Sequence, residues 1–484
     1  MNFNFNLTTE QLGIKNHFIM GRGDFFVRAK AGSSKTFTSI LGLNAANASQ
    51  TAYLVFGKLN QLEAVPKITN DKVTVVTFHS IGFSFVRKNW RGVCANGYTE
   101  FGRIEKLFPD APRRIIFLAA KLVSFLKNTS IVPTQKQAMD AILARDFETG
   151  AQATSEGWGN EKLVQMALES IKLSLEYPAD KKISFEDMLW LPVAKNWIEK
   201  QFNLIVVDEC QDCNEIQLEM IRRLRMEKGR ICMIGDENQA IYNFRGATSN
   251  VIEKFKTEFS AKGFDLSISW RCPKKIIEMA KQLVPDIQAS PTAIDGEVLQ
   301  ITNDGFLNTV KVGDVCLSRT NAPLMKNCLA LIRKNVRAYV EGRDVGKGLI
   351  NLIESFQPKD MADFYDKLDK WLTVRQQNNS AQAVANSNDQ AQTLRVLAEN
   401  CLNVEEIKNK INLLFQDAAD VKTPSVVLMT VHKSKGKEWD NVFMLMETFA
   451  RNGKRVLTPE EITEERNIKY VAITRAKKKL IQVA

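Results

Sequence analysis

Histidine and paired cysteines are scarce in this chain. Only three histidines occur among 484 residues, and the eight cysteines are scattered. Cys210 and Cys213 form one C-x-x-C, but no second pair matches it. Structural zinc sites and disulfide frameworks need four ligands or regularly paired cysteines. The pattern argues against both, and reduced thiols, as kept in the cytoplasm, are the simpler interpretation.

Long apolar runs and a leader sequence are also missing. The first residues, MNFNFNLTTEQ, have neither the basic nor the apolar region of a signal peptide. No run of about 18 apolar residues indicates a membrane span. We therefore expect a cytoplasmic protein with no membrane partner.

Basic residues are in excess, and the formal net charge is +11. An even spread of these charges would only aid solubility. A concentration on one face would favour a polyanion partner, most often nucleic acid. Composition alone leaves both interpretations open.

Three short apolar runs each end in a polar loop, which is typical of buried parallel strands in an α/β sheet. Ligands of such sheets bind at the carboxyl ends of the strands, so we expect the three loops to meet in one crevice. The runs and the polar pairs that follow them are Phe25–Arg28 before the segment AKAGSSKT, Leu204–Val207 before Asp208 and Glu209, and Ile231–Ile234 before Gly235 and Asp236.

A second α/β pattern begins near Phe264, includes Val315–Ser318 and resumes at Val426–Thr430. Helical-looking segments interrupt both patterns, and that at 91–180 is too long for a simple crossover. The later one contains a Gln/Asn/Ala-rich run, Arg375–Gln392. Such a composition predicts a flexible loop or a weakly packed helix.

The segment RAKAGSSKTFTSI, residues 28–40, approximates the phosphate-loop pattern G-x-x-x-x-G-K-[ST]. Lys35 and Thr36 match it, whereas Ala29 and Ser34 stand where the pattern has glycine. In such loops the lysine bridges the β and γ phosphates and the threonine hydroxyl holds Mg²⁺. A side chain at Ser34 costs about 1–2 kcal/mol if that position is left-handed.

Asp208 and Glu209 follow the second run directly. Paired carboxylates at a strand end suit metal binding and activation of an attacking water, with Asp208 holding Mg²⁺ and Glu209 acting as the base. Taken alone, the pair could instead cap a helix. The wider strings IVVDECQD and GDENQAIYNFRGA (235–247) favour the catalytic interpretation.

Further strings follow in a fixed order: SWRCP (269–273), TVHKSKGKEWDNVF (430–443) and EERNIKYVAITRA (464–476). Together with the two strings above, they resemble the helicase motifs of superfamily 1A, the UvrD/Rep/PcrA family. LTTEQ (7–11) is similar to the family's Q motif, and LVFGK (54–58) and TFHSIG (77–82) extend the resemblance. ISFEDMLWLP, RTNAPL and EGRDVGKGL look closest to the branch that contains the F-box DNA helicases.

The resemblance implies an α/β fold with two RecA-like P-loop domains. Each has a parallel sheet and carries an inserted, mainly helical subdomain. The boundaries we expect are 1–90 and 181–250 for the ATP-binding domain 1A, 91–180 for its insertion 1B, 251–355 and 425–484 for domain 2A, and 356–424 for a small insertion 2B.

The resemblance also implies ATP and Mg²⁺ as cofactors. The family's phosphate loop usually reads A-x-A-G-[ST]-G-K-T, so Ala29 is normal and only Ser34 departs. By motif match, Glu209 and Gln239 act in catalysis, Gln239 as a sensor of the γ-phosphate, and Arg271 and Arg475 reach in from the second domain to stabilise charge. The expected nucleotide contacts are Gln11 at the adenine edge, Trp270 stacked on the base, Glu438 at the ribose, and Ala31, Gly32, Ser33, Ser34, Lys35 and Thr36 around the phosphates, with Thr36 and Asp208 on the metal.

A single strand is held by stacking platforms and by groups along its backbone. The resemblance places aromatic platforms at Phe56, Tyr242 and Phe244. It places backbone contacts at Lys58, Thr77, His79, Arg245 and His432.

We therefore expect a monomeric ATP-dependent helicase or translocase that moves on single-stranded DNA and at single-strand/duplex junctions, 3′ to 5′ as the family implies. Proteins of replication, repair or recombination are candidate partners, with the nucleoid or, for a viral chain, the host cytoplasm as the location. One alternative is a translocase that displaces proteins without unwinding duplex DNA. Two features suggest it: insertion 2B is small and polar, and the family's strand-separating hairpin usually follows the last motif, whereas the sequence stops at Ala484. Another is a DNA-binding scaffold with an inactive ATPase, suggested by Ser34.

Overall fold

The computed structural model describes residues 7–145, 147, 149, 151–241, 251–377, 381–418, 421, 423–449 and 458–484. The chain divides between Ser267 and Ile268 into two compact units. Each unit contains a parallel sheet with helices packed against it, which confirms the expected α/β class.

The first unit contains eight strands among its described residues. They are β1 (Phe25–Ala29), β2 (Thr51–Val55), β3 (Val73–Thr77), β4 (Cys94–Ala95), β5 (Lys182–Ile183), β6 (Phe202–Val207), β7 (Arg225–Gly235) and β8 (Lys262–Leu266). The helices are α1 (Thr9–Met20), α2 (Lys35–Ala45), α3 (Lys58–Ala64), α4 (Phe78–Asn89), α5 (Thr99–Leu107), α6 (Arg113–Thr129), α7 (Gln135–Arg145), α8 (Ala151–Ser155), α9 (Asn160–Leu173), α10 (Phe185–Ala194), α11 (Glu215–Leu224) and α12 (Val251–Phe259).

Six of these strands form one parallel sheet in the order β3-β2-β6-β7-β1-β8. The three runs predicted to be strands lie within β1, β6 and β7, which are consecutive neighbours. Their carboxyl ends therefore meet at one edge, as expected. Alternate residues face opposite cores. Phe25 and Val27 pack on the side of α1 and α2, and Phe26 packs on the other side.

Five helices, α5 to α9, lie between the short strands β4 and β5, which pair with each other in parallel. A buried ionic network ties this helical segment to α10. The Lys127 ammonium lies 2.5 Å from the carboxylates of both Glu100 and Asp187, and Arg103 bonds the same two carboxylates at 2.8 and 3.3 Å. Burial alone would raise the pKa of Asp187, but Lys127 and Arg103 hold it below its usual value.

The second unit contains nine described strands. They are β9 (Ile268–Ser269), β10 (Gln288–Ala289), β11 (Glu297–Ile301), β12 (Val315–Ser318), β13 (Ala338–Glu341), β14 (Phe415–Gln416), β15 (Val426–Thr430), β16 (Trp439–Leu445) and β17 (Ala476–Val483). The helices are α13 (Lys274–Lys281), α14 (Asn303–Thr309), α15 (Ala322–Arg333), α16 (Arg343–Phe356), α17 (Met361–Gln377), α18 (Ala381–Ala398), α19 (Val404–Leu414), α20 (Val431–Ser434) and α21 (Pro459–Ile473).

Seven of these strands form a parallel sheet in the order β11-β17-β16-β12-β15-β13-β14. The two runs predicted from sequence are β12 and β15, which pair directly. The Gln/Asn/Ala-rich run is helical in α17 and α18, where it is described, which agrees with the helical one of the two alternatives. Ala391 and Leu394 of α18 are buried, and the Asp389 carboxylate accepts the backbone N–H groups of Asn321 and Ala322 at the start of α15.

The expected domain boundary at 250/251 differs from the structure. Strand β8 pairs along its whole length with β1, and α12 precedes it, so residues 251–267 belong to the first unit. The motifs could not show this, because the pairing joins segments more than 200 residues apart. Within the described residues, no helix combines the length and apolarity that a bilayer crossing requires.

We predict that Lys127→Met lowers the free energy of unfolding by about 3–5 kcal/mol, because two buried carboxylates then share only Arg103. Since the folded pKa of Asp187 is lowered, this stabilisation is present above about pH 4 and is lost as the pH falls below that value. Urea denaturation followed by circular dichroism at pH 7 and pH 3 measures both effects.

Lys121→Met on the same helix is the matched control, because Lys121 is exposed. We expect it to change stability by less than about 0.5 kcal/mol. An equal effect of both variants at pH 7 would contradict the role given to the network.

Candidate nucleotide-binding site

The loop between β1 and α2 turns sharply at two residues. Gly32 and Ser34 have φ angles of +72° and +61°, and the Ser33 N–H donates to the Lys30 carbonyl oxygen at 3.1 Å. Such alternation turns backbone N–H groups into a concavity that attracts anions, and here it leads into the N-terminus of α2. Ser34 therefore stands in the left-handed conformation that glycine adopts without strain. The cost of about 1–2 kcal/mol predicted for a left-handed backbone at Ser34 therefore applies.

Ser33 supplies independent evidence for a ligand at this loop. Its side chain is 2% exposed, and its hydroxyl has no hydrogen-bond partner among the described residues. A buried hydroxyl without a partner is costly and is rare in folded proteins. A phosphate oxygen in the loop would satisfy it. Ala31 is fully buried beside it and packs beneath the loop rather than facing solvent.

Lys35 lies at the centre of the site. Its ammonium is 2.9 Å from Oε2 of Glu209, and Asp208 and Asp236 also act on it electrostatically. Burial alone would lower the pKa of Lys35, but these three carboxylates together raise it above its usual value. The lysine is therefore held charged by groups from the ends of β6 and β7.

Asp208 is nearly buried, and its two carboxylate oxygens have different partners. Oδ1 accepts the backbone N–H of Glu209 at 3.0 Å, and Oδ2 accepts the Tyr53 hydroxyl at 2.7 Å. The Thr36 hydroxyl is 3.5 Å from the same Oδ2. Burial and the neighbouring Glu209 raise the pKa of Asp208, and burial and Asp208 raise that of Tyr53 well above its usual value, so the phenol is a donor.

Glu209 itself is strained, with a φ of +50°. Its Oε2 accepts Lys35 and also the Gln211 side-chain amide at 2.6 Å. Gln211 in turn accepts the backbone N–H of Asp236 at 3.0 Å, and Gln239 donates to the Asp236 carboxylate at 2.7 Å. A continuous hydrogen-bonded chain thus joins the phosphate-loop lysine to Gln239. Strain of this kind persists where the surroundings hold a residue firmly, as they do at active sites.

The donors and acceptors present fit a magnesium nucleotide. Carboxylate and hydroxyl oxygens, the ligand types that Mg²⁺ prefers, are provided by Asp208 and Thr36. A lysine and a backbone concavity lie at the start of α2, where phosphates would bind. Asp208, Glu209 and Asp236 lie around Lys35, and such a cluster of carboxylates suits a ligand that brings its own dication.

Sequence reasoning missed Tyr53 and Gln211. Gln211 lies inside the quoted string IVVDECQD, so the motif contained the signal. Tyr53 lies in an apolar run before LVFGK, where the sequence indicates only a buried strand residue. Strand pairing alone brings it to Asp208.

Gln11, predicted at the adenine edge, already has structural partners. Its amide oxygen accepts the Thr8 backbone N–H at 3.0 Å in a capping box at the start of α1. Its amide nitrogen lies 3.4 Å from the Thr38 hydroxyl on α2. Its role in base recognition stays a prediction.

Within the second unit, Trp270 is 44% exposed, as a stacking residue must be. Arg271 donates to the Glu438 carboxylate at 2.5 Å and to the Thr474 carbonyl at 3.3 Å. Two residues predicted to contact different parts of the nucleotide are therefore paired with each other. Arg475 is 1% exposed and donates to the carbonyls of Val471 and Lys437.

The residues predicted to contact DNA lie in several places. Phe56 is half-buried with its ring 5.4 Å from that of Phe78, and Lys58 is exposed at the start of α3. Thr77 is buried and caps α4, so its side chain is already engaged. Burial lowers the pKa of His79 and keeps that ring neutral near pH 7. His432 is half-buried on α20, and Tyr242, Phe244 and Arg245 lie outside the described residues.

Comparison with known families covers most of the chain. Residues 7–260 match the model of the UvrD/REP helicase N-terminal domain, and residues 347–483 match that of the UvrD-like helicase C-terminal domain. A probable DNA helicase II homolog of Mycoplasma pneumoniae is 27% identical over 57% of this chain and 42% of its own length. One of Mycoplasma genitalium is 22% identical over 96% and 83%. The ATP-dependent DNA helicase Rep of Buchnera aphidicola from Acyrthosiphon pisum is 26% identical over 49% and 36%.

We predict that Ser34→Gly raises the free energy of unfolding by about 1 kcal/mol, because removing the side chain relieves the left-handed strain and outweighs the added backbone entropy. Nucleotide affinity should be at least that of the wild type. Ser84→Gly is the matched control, since Ser84 is exposed within α4 and outside the left-handed region, and its substitution should destabilise by about 0.5 kcal/mol. Urea denaturation measures both, and a change of the same sign in the two variants would contradict the strain assigned to Ser34.

Proposed function

Because the chain belongs to the UvrD/Rep helicase family, we propose that it is an ATP-dependent DNA helicase that moves on single-stranded DNA. The observation that carries this proposal is the contact of Lys35 with Glu209, beside Asp208, at the carboxyl edge of the first sheet. Relatives named as DNA helicases support the substrate.

Each group of the first unit has a proposed task. Lys35 and the loop N–H groups bind the phosphates, and Ser33 adds a hydroxyl donor. Thr36 and Asp208 would hold Mg²⁺, which when bound neutralises charge on the transferred phosphoryl group. Glu209 accepts the proton of the attacking water, and Lys35 and Gln211 hold its carboxylate in place until then.

Gln239 is suited to sense the γ-phosphate, because a chain of hydrogen bonds through Asp236 and Gln211 joins it to Glu209. A shift of Gln239 would therefore be transmitted to the base. In the second unit we propose that Arg271 and Arg475 stabilise the developing charge and that Trp270 stacks on the base. Contact of Arg271 with phosphate then requires the Arg271–Glu438 ion pair to open.

For the strand, we propose that Phe56, Tyr242 and Phe244 are stacking platforms and that Lys58, His79, Arg245 and His432 follow the backbone. A neutral His79 can donate a hydrogen bond from its ring N–H to the strand. Thr77 caps α4, so we propose that it supports the neighbouring contacts through that helix. The proposal also includes movement 3′ to 5′ and action at single-strand/duplex junctions. It further includes work as a monomer and contact with replication, repair or recombination proteins.

Glu209→Gln is expected to lower DNA-stimulated ATP turnover by at least about 100-fold, because the general base is lost. ATP binding should persist in this variant, since the amide leaves the phosphate loop in place. Lys35→Ala should lose both ATP binding and ATP turnover. Phosphate release with and without single-stranded DNA, together with calorimetric ATP binding, measures this.

Glu199→Gln is a matched control, because Glu199 lies before β6, at the end of that strand away from Asp208, and pairs with the surface residue Lys88. It should behave as the wild type. Turnover by the Glu209 variant equal to that of the wild type would refute the assigned base, and no stimulation of the wild type by DNA would favour the scaffold alternative.

Strand separation and protein displacement are expected to depend on the same site but can be measured apart. We predict unwinding of a duplex with a 3′ single-stranded tail and not of one with a 5′ tail, with loss of activity in Glu209→Gln. A parallel assay follows removal of a bound protein block from single-stranded DNA. Displacement without unwinding of either duplex would identify a translocase that does not open DNA.

A further inference from the structure

We propose that Tyr53 is a positioning residue for the metal-binding carboxylate, and that its hydroxyl fixes the orientation of Asp208 relative to Thr36. This inference rests on the proposed function and deepens it. No helicase motif in the sequence contains Tyr53, and the contact is produced by the sheet.

Strand register places the phenol where it is needed. Tyr53 on β2 is paired with Val206 on β6, two residues before Asp208. Because side chains alternate with a period of two, Asp208 points to the same face as Val206 and Tyr53. Two residues correspond to about 6.6 Å along the strand, a distance that a long side chain spans and a short one does not. The hydroxyl thus ends 2.7 Å from Oδ2 of Asp208.

The surroundings hold the phenol firmly. Tyr53 is fully buried in the core formed by β1, β2, β6 and the helices α1 and α2. Its hydroxyl also interacts with the side chain of Ser39, whose own hydroxyl lies 2.9 Å from the Lys35 carbonyl oxygen. Tyr53 therefore connects the phosphate-loop helix to the end of β6.

The Tyr53 hydrogen bond determines how Asp208 is oriented. The carboxylate is 5% exposed, and one oxygen is fixed by the Glu209 backbone. Without Tyr53, the other oxygen would keep only the 3.5 Å contact with Thr36, at the outer limit of a hydrogen bond. The carboxylate could then turn away from Thr36. Partners that orient a metal ligand in this way typically change metal affinity by about 10–100-fold when removed.

The test compares Tyr53→Phe with the wild type in the full chain. Calorimetry measures binding of a non-hydrolysable ATP analogue with and without Mg²⁺. We expect the gain in affinity that Mg²⁺ provides to fall by about tenfold, while binding of the metal-free analogue is unchanged. In ATP turnover, the Mg²⁺ concentration for half-maximal rate should rise by a similar factor, with kcat recovered at saturating metal.

Tyr177→Phe is the matched control, because it removes a hydroxyl that donates to a backbone carbonyl, that of Arg91, at the protein surface. It should leave both Mg²⁺ measurements unchanged. Thermal unfolding of each variant shows whether the fold is intact.

Three outcomes would overturn the inference. If the wild type requires Mg²⁺ for nucleotide hydrolysis but Tyr53→Phe has the same Mg²⁺ dependence, Tyr53 does not position Asp208 and the proposed function stands. If the variant loses thermal stability and metal-free binding to the same extent as metal-dependent binding, its role is structural only. If the wild type itself shows no Mg²⁺-dependent binding or turnover, the proposed function fails and this inference fails with it.

Discussion

The ion pair of Lys35 with Glu209, in the field of two further carboxylates at the edge of a parallel sheet, is the constraint on which the site depends. Lys35 comes from the start of α2, Asp208 and Glu209 from the end of β6, and Asp236 from the end of β7. None of these charges is stable alone at such burial. Together they hold one another in place. The sheet order β6-β7-β1 brings the segments that carry them to one edge.

Backbone strain accompanies this arrangement at two positions. Ser34 and Glu209 both have left-handed backbones, on either side of the Lys35 ammonium. The first leads from the loop into α2, and the second carries the carboxylate that binds Lys35. Both are maintained because the flanking elements, α2 and β6, are fixed in the core. The Ser33 hydroxyl in the same loop is buried and has no hydrogen-bond partner among the described residues.

In the second unit, the arginines proposed to stabilise charge have partners within that unit. Arg271 and Glu438 neutralise each other, and Arg475 is bound to backbone carbonyls. The insertion within this unit is attached by apolar burial in α18 and by the Asp389 carboxylate at the start of α15, despite its polar composition. Composition predicted a flexible loop or a weakly packed helix, and it could not show the docking contacts, because these depend on which few side chains share a face.

The amino-acid sequence by itself determined the chemistry and the fold class. Lys35, Thr36, Asp208 and Glu209 were identifiable because phosphate and metal binding require those residue types next to strand ends, and apolar runs marked β1, β6, β7, β12 and β15. Only the tertiary structure decided the left-handed backbone at Ser34, the partner of Arg271, the reach of Tyr53 to Asp208 and the inclusion of β8 in the first sheet. The physical reason is that each of these depends on which segments become neighbours. Neighbours are set by strand pairing and burial over separations that no local pattern records.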